Sequence, residues 1–208
     1  MSFQRTIIIS VSIAILALLV FIGSLFLWHN TGGGKVTPYG GDFSLLHMSG
    51  ENKRLSQLPG QYKLLYFGYT SCPDICPLAL SNIVLALQIV PQAQRERVQP
   101  VFISIDPERD TPQAVKAYME LYTTDNISFE GYSGTPESTY EVVHDRYGLF
   151  YEKDIDPRYT EYIMNHPSLF LLVDNKGRLI PGGIIHDRAE LGAHRSLARD
   201  LSSVLETL

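Results

Sequence analysis

Two cysteines, Cys72 and Cys76, are the residues of this chain whose side chains and spacing most clearly suggest chemistry. They are the only cysteines among 208 residues, and Pro73-Asp74-Ile75 separates them. At the start of a helix, a spacing of four residues places two sulfurs about one turn apart on the same side. Unpaired backbone N–H groups and the helix dipole there favour thiolate over thiol. Such a pair suits either a reversible disulfide or a soft metal ion bound by thiolates.

The elements around the cysteines are predicted to bring both thiols to one end of a sheet. An apolar run, Lys63–Phe67, indicates a buried strand before them, and a helical pattern begins at Leu78 after them. The alternative to a functional pair is that both cysteines only fill the hydrophobic core, because free cysteine is often buried and inert. Pro73 and Pro77, together with the strand-to-helix position, favour a functional pair.

The rest of the pattern predicts an α/β, thioredoxin-like fold with an N-terminal β-hairpin extension. Strands alternate with helices as βαβ and then follow as ββα, which is the thioredoxin order. The predicted elements are a hairpin of Phe43–His47 with Lys53–Leu55, core strands at Lys63–Phe67, Val101–Ile105 and Ser168–Val173, a turn at 174–177 into Arg178–Ile180, extended segments at Leu149–Lys153 and Glu161–Met164, and helices from Leu78, from Pro112 after an N-cap at Thr111, from Pro136 to about Tyr147, and over Asp187–Leu208.

The N-terminal segment, Ile7–Trp28, contains 22 residues without a charge. As a helix it would be roughly 33 Å long, which is enough to cross a bilayer core. A cleaved signal peptide is the alternative, but its apolar region is normally shorter and ends in a small-x-small site. The sequence therefore predicts a cytoplasmic tip at 1–6, a transmembrane anchor at 7–28, a flexible linker at 29–39 and a thioredoxin-like domain at 40–208.

Charge bears on both orientation and partners. Arg5 and the amino terminus precede the predicted anchor, which indicates a cytoplasmic N-terminus, and six residues leave no room for an organelle transit peptide. We therefore expect a single-pass protein of a bacterial inner membrane with its C-terminal domain in the periplasm.

After Gly40 the chain has 15 basic and 22 acidic side chains, a formal charge of −7. No basic cluster is present in the sequence, so a nucleic-acid partner is not expected.

A third metal ligand, if one exists, should come from a loop close to the cysteines. In thioredoxin-like folds the loop entering the third core strand faces the cysteine pair, and here that loop contains His166. The remaining histidines lack such a position and are expected to be solvated or locally hydrogen-bonded: His29, His47, His144, His186 and His194. Two thiolates and one imidazole make a three-coordinate site that suits Cu(I). Structural zinc would need a fourth ligand, so it is disfavoured.

Two long motifs resemble the Sco/SenC family of membrane-anchored, thioredoxin-fold copper proteins that help to assemble cytochrome c oxidase. They are F-G-Y-T-S-C-P-D-I-C-P at Phe67–Pro77 and F-I-S-I-D-P-E-R-D-T-P at Phe102–Pro112. The resemblance implies that Cys72, Cys76 and His166 bind copper. One departure from the family is Pro167, which follows the histidine where the family usually has Ser or Thr, and which allows a cis peptide bond.

The resemblance also implies the partners. The main one would be the copper-bearing subunit of cytochrome c oxidase, with other copper chaperones or thiol reductants as further candidates. The expected role is that of a metallochaperone, without turnover chemistry of its own. The alternative is a membrane-tethered thiol–disulfide oxidoreductase that uses the same cysteines without metal. Asp106 and Asp110 belong to the second motif, and either an acidic floor beside the metal, helix capping or an ion pair with Arg109 would explain them.

Overall fold

This computed structural model describes residues 20–21, 39–155, 157–159, 161–186, 190 and 192–208. In these ranges the chain forms nine β-strands and five α-helices, joined by turns and loops. The strands are β1 Ser44–His47, β2 Asn52–Arg54, β3 Tyr62–Gly68, β4 Val98–Ser104, β5 Glu130–Ser133, β6 Glu152–Asp154, β7 Ile163–Asn165, β8 Leu169–Asp174 and β9 Leu179–His186. The helices are α1 Ile75–Ile89, α2 Gln92–Arg95, α3 Pro112–Glu120, α4 Pro136–Tyr140, which continues as a π-helix over Glu141–Arg146, and α5 His194–Glu206; a short 3-10 helix covers Leu55–Gln57.

A seven-stranded mixed sheet forms the centre, in the order β2-β1-β5-β4-β3-β8-β9. Strand β3 runs parallel to β4 and antiparallel to β8, and β4 runs parallel to β5. This is the predicted βαβ–ββα arrangement. The hairpin β1–β2 joins the sheet by antiparallel pairing of β1 with β5, so the predicted N-terminal hairpin extension is confirmed. Within the described ranges, strands β6 and β7 pair only with each other, as a separate two-stranded sheet.

Burial explains why β3 and β4 lie in the middle. Every residue of both strands is buried, as a parallel pair covered on both faces requires. Tyr66 of β3 packs against Phe102 of β4 and Phe170 of β8. Helix α1 packs against α5. The carboxyl end of β3 is therefore a fixed point from which the cysteine segment starts.

Helix α1 begins at Ile75, three residues before the predicted start at Leu78. The prediction treated Pro77 as a boundary. The first four N–H groups of a helix have no partner within the helix, so a proline in the first turn removes no hydrogen bond. As a result Cys76 lies inside the first turn of α1. The predicted N-cap of α3 is confirmed, because the Thr111 hydroxyl accepts a hydrogen bond from the Ala114 N–H at 3.2 Å.

Several predictions fall on residues that the structure does not describe. Of the predicted anchor, 7–28, only residues 20 and 21 are described, and the predicted linker is described only at residue 39. Among the described residues, none of the helices has the length and apolar character that a membrane crossing requires. The closing helix, predicted from Asp187, is seen as α5 from His194, and residues 187–189 and 191 lie outside the described part.

Candidate metal centre

The cysteine segment is held at both of its ends. Before Cys72, the backbone N–H and the hydroxyl of Thr70 both donate to the Asp110 carboxylate, at 3.0 and 2.5 Å. After it, the backbone N–H of Cys76 lies 3.4 Å from the Cys72 sulfur and donates to it. That N–H belongs to the first turn of α1 and has no partner within the helix. The spacing of four residues therefore places the Cys72 sulfur where it caps the helix.

Close packing around the second cysteine at the end of β3 favours glycine at residue 68. A Cβ atom added to Gly68 would lie 3.0 Å from the Cys76 sulfur, 3.0 Å from the Tyr66 ring and 3.1 Å from the Phe102 ring. Cys76 itself is fully buried, whereas Cys72 is partly exposed. Both are free thiols. The glycine of the F-G-Y-T-S-C motif thus has a steric role.

The two sulfurs have opposite acid–base properties. Hydrogen bonding from the Cys76 thiol, assisted by the backbone N–H groups of Cys76 and Asp74 and by Tyr69, lowers the pKa of Cys72 to about 6 despite its burial. The same hydrogen bond to Cys72, together with burial, raises the pKa of Cys76 far above its usual range. At neutral pH the pair therefore consists of a Cys72 thiolate and a Cys76 thiol.

His166 faces the buried cysteine. It lies between the last residue of β7 and the first of β8, and its Nε2 is 3.9 Å from the Cys76 sulfur. Its Nδ1 is 3.1 Å from the carbonyl oxygen of Pro167. Because a carbonyl only accepts, Nδ1 carries the proton and the lone pair is on Nε2. Burial lowers the pKa of His166, so the ring is neutral at pH 7.

The peptide bond between His166 and Pro167 is trans, since the described residues include no cis peptide bond. The cis bond that Pro167 allowed is therefore not adopted. Pro167 instead supplies the carbonyl that accepts from the His166 Nδ1. The proline leaves the imidazole directed at Cys76.

One pair of donors, Cys76 and His166, has the spacing that a soft metal ion requires. With metal–ligand bonds of roughly 2.0–2.3 Å, two ligands of a trigonal ion lie about 3.8 Å apart. The separation of 3.9 Å between the Cys76 sulfur and His166 Nε2 matches that value. As the side chains stand, no three His, Cys, Asp or Glu residues in the described ranges form a group able to hold a metal ion. The structure thus brings Cys76 to His166 directly, and brings Cys72 to the Cys76 N–H.

A cavity of about 170 Å³ opens beside Cys72 and His166. It is lined by Cys72, His166 and Met164 and by Tyr69 and Tyr159, with the 73–75 segment at its edge. Asp106 and Asp110 do not line it. Asp106 instead pairs with Arg109, and Asp110 accepts from Thr70 and from Ser104. Of the explanations open for these aspartates, the ion pair holds for Asp106, while Asp110 anchors the cysteine segment.

Tyr69 is a residue of the site that the sequence did not single out. It is buried, its ring lies 6.3 Å from the His166 ring, and it contributes to lowering the pKa of Cys72. Its position within the motif, three residues before Cys72, is the signal that could have identified it. Gly68 and Thr70, its neighbours, carry the same signal.

The fold and the site together define a thioredoxin-like α/β protein with a dithiol pair that faces a histidine. Comparison with known proteins then gives the family. The SCO1/SenC family model matches residues 32–200, which is most of the chain. The chain belongs to the SCO1/SenC family.

Individual relatives agree with this assignment. A SCO2-like protein of Rickettsia conorii is 34% identical over 184 residues, which cover 81% of this chain and 86% of the relative. The crystal structure of Arabidopsis thaliana ScoI with copper bound has a TM-score of 0.71 at 29% identity, covering 82% of this chain and 99% of the other. BsSco, described as a member of the Sco family of cytochrome c oxidase assembly proteins, has a TM-score of 0.57 at 22% identity, over 82% and 96% of the two chains, and supports the fold alone.

Proposed function

We propose that this chain is a membrane-anchored copper metallochaperone that binds Cu(I) through Cys72, Cys76 and His166. The observation that carries the proposal is the 3.9 Å approach of His166 Nε2 to the Cys76 sulfur, across 90 residues of sequence. Membership of a family with a copper-bound ScoI structure supports copper as the ion.

The state of each donor supports the same choice. Cys72 is a thiolate at neutral pH, and the neutral His166 ring has its lone pair directed at Cys76. Cys76 holds its proton until a cation displaces it, so binding releases a proton from this sulfur. Thiolate and imidazole donors in a three-coordinate set suit Cu(I), whereas structural zinc takes four ligands.

The partner we propose is the copper-bearing subunit of cytochrome c oxidase. Membership of the SCO1/SenC family supports this partner, because the Sco family is described as one of cytochrome c oxidase assembly proteins. Other copper chaperones or thiol reductants would load the site or keep it reduced. The uncharged segment 7–28 would anchor the chain in a bacterial inner membrane, with the C-terminal domain in the periplasm.

Copper stoichiometry under reducing conditions tests the proposal. We expect the parent chain to bind about one Cu(I), and Cys72→Ala and Cys76→Ala to lose it, because each removes a thiolate from the ligand set. His166→Ala should bind at least roughly ten-fold more weakly, as measured by competition with a chromogenic Cu(I) chelator. A His166→Ala chain that held copper as tightly as the parent would contradict the three-ligand site.

The split between the two cysteine pKa values favours a second function, thiol–disulfide exchange. The Cys72 thiolate would attack a partner disulfide and form a mixed disulfide. Cys76, after losing its proton, would then attack Cys72, which leaves an oxidised Cys72–Cys76 pair and a reduced partner dithiol. Rapid exchange with partner disulfides by a chain that takes up no copper would establish this function in place of the first.

A further inference from the structure

The hairpin that precedes His166 is separate from the main sheet. Strands β6 and β7 pair with each other, and in the described residues neither belongs to the seven-stranded sheet. Strand pairing in the described residues therefore does not fix the position of this hairpin relative to the cysteines, and the Met164 backbone in β7 contributes one hydrogen bond to the Tyr69 side chain. Other contacts must help to fix the position of the hairpin, and several of them lead to one loop, Asp106–Asp110, which we call the 106–110 loop.

Arg109 of this loop holds Tyr162, the residue immediately before β7. Its Nη1 donates to the carbonyl oxygen of Tyr162 at 3.0 Å and to Glu161 at 3.2 Å, and its guanidinium lies 3.7 Å from the centre of the Tyr162 ring. The Tyr162 hydroxyl in turn donates to Asp106 at 2.8 Å. Tyr162 is thus held through its backbone, its ring and its hydroxyl by the same loop.

The 106–110 loop also contacts the other strand of the hairpin and the cysteine segment. On β6, Lys153 pairs with Glu108 at 2.5 Å. On the cysteine side, Asp110 accepts from both Thr70 groups, and the Arg109 guanidinium lies 5.6 Å from the centre of the Tyr69 ring. One loop therefore joins the two segments that carry the candidate ligands.

The loop itself is held firmly enough to serve as a common support. Asp106 and Asp110 are 1% and 0% exposed. A buried carboxylate is costly unless it is paired and hydrogen-bonded. Asp106 accepts from Arg109 Nε and Tyr162, and Asp110 accepts from Ser104 as well as Thr70. Moving the loop would break these bonds, so its conformation is strongly determined.

We propose that Arg109 is a positioning residue for the metal centre: through Tyr162 it holds the β6–β7 hairpin so that His166 faces Cys76. This inference rests on the proposed function, because it assigns a role in presenting the third ligand. Arginine is required because one rigid fork has to reach Asp106 and the Tyr162 carbonyl while lying over an aromatic ring. A lysine offers a point charge on a flexible stem and cannot do all three.

Arg109→Lys in the full-length chain tests the proposal, and Arg97→Lys is a matched control. Arg97 also lies over a tyrosine ring, at 5.1 Å from Tyr62, and donates to its hydroxyl at 3.1 Å, but Tyr62 begins β3 at the end away from the cysteines. We expect Arg109→Lys to weaken Cu(I) binding roughly ten-fold in chelator competition, and Arg97→Lys to leave it unchanged.

The same pair of substitutions in a His166→Ala background distinguishes a role in positioning His166 from a general disturbance of the structure. If Arg109 acts through His166, Arg109→Lys should change the residual affinity of that background by less than about two-fold. An equal loss in both backgrounds would overturn the proposal, and so would a parent-like affinity of Arg109→Lys.

A metal-free measurement keeps this test independent of the proposed function. In the ¹H–¹⁵N spectrum of the reduced, metal-free chain, the His166 ring signals, assigned by their loss in His166→Ala, should shift in Arg109→Lys and stay in place in Arg97→Lys. Unchanged ring signals in Arg109→Lys would refute the positioning role, even for a chain that binds copper. A parent chain that binds no copper would refute the proposed function while the ring signals still decide the role of Arg109.

Discussion

His47 lies in the main sheet and His166 lies just before one of its strands, and the two rings carry their proton on opposite nitrogens. His47 is in β1, and His166 precedes β8, with β5, β4 and β3 between those strands. At His47 the Nδ1 accepts from the Ser49 N–H at 3.1 Å and Nε2 lies 2.6 Å from Glu130, so Nε2 carries the proton. At His166 the proton is on Nδ1, which donates to the Pro167 carbonyl.

The difference shows that burial alone does not identify a metal-binding histidine. His47 is the more deeply buried, at 3% exposed, yet both of its ring nitrogens have protein partners. His166 has its unprotonated nitrogen directed at a sulfur. A hydrogen bond on one ring nitrogen decides which atom remains available, as the partners of metal-bound histidines generally do.

The largest expected effects come from replacing each histidine by alanine, and they differ between His47 and His166. His47→Ala should lower the free energy of unfolding by about 2–3 kcal/mol, because Glu130 and Ser49 lose a buried partner. Copper affinity per folded molecule should not change. His166→Ala should do the reverse, with Cu(I) affinity reduced by roughly ten- to a hundred-fold and little change in stability. Denaturant unfolding and chelator titration on both variants provide the measurements.

The comparison would fail if His47→Ala also weakened copper binding in chains shown to be folded. His47→Gln is the control for packing, since its amide can still donate to Glu130.

A second pair of substitutions, at Gly68 and Gly50, should have smaller effects on stability and copper binding. Gly68→Ala should cost about 1–3 kcal/mol of stability, because the added methyl group meets Cys76 and two aromatic rings. It should also displace the Cys76 sulfur and weaken copper binding. Gly50, in the β1–β2 turn after His47, has a φ of +90° and open space around it. Gly50→Ala should cost only about 1–2 kcal/mol of backbone strain, without effect on copper.

Equal copper affinities for Gly68→Ala and the parent chain would show that the close approach of Gly68 to Cys76 does not matter for the site.

The smallest effect concerns pH. With a pKa of about 6, Cys72 should be alkylated by iodoacetamide about ten-fold more slowly near pH 5 than near pH 8, with a midpoint near pH 6. Cys76 should stay unmodified, because its thiol is buried and holds its proton. His47→Ala should leave this profile in place. Mass spectrometry of labelled peptides resolves the two cysteines.

The same pKa gives the sign of a stability change. Because the pKa of Cys72 is lower in the folded than in the unfolded chain, its ionisation contributes stability in full above the unfolded value. That contribution decreases as the pH falls from there through about 6. A midpoint of alkylation near the ordinary thiol value would contradict the hydrogen-bonded thiolate.

Much of the fold could be read from local patterns. The strands around Lys63–Phe67 and Val101–Ile105 are continuous apolar runs, and Thr111 before Pro112 is an N-cap with a proline at the first helical position. Each depends on residues close together in sequence. The start of α1 was misplaced because Pro77 allows either a boundary or a first helical turn. The sequence pattern around it does not choose between these.

The sequence by itself determined that two thiols stand at a strand-to-helix junction and that His166 enters the third core strand, because hydrophobic periodicity and turn residues act locally. Only the tertiary structure decided that Pro167 keeps a trans bond and orients the imidazole, and that Arg109 joins the histidine hairpin to the cysteine segment. The contacts of Asp110 with Thr70, of Arg109 with Tyr162 and of His166 with Cys76 link residues 40 to 90 positions apart, and their geometry depends on how the burial of the whole sheet brings the segments together.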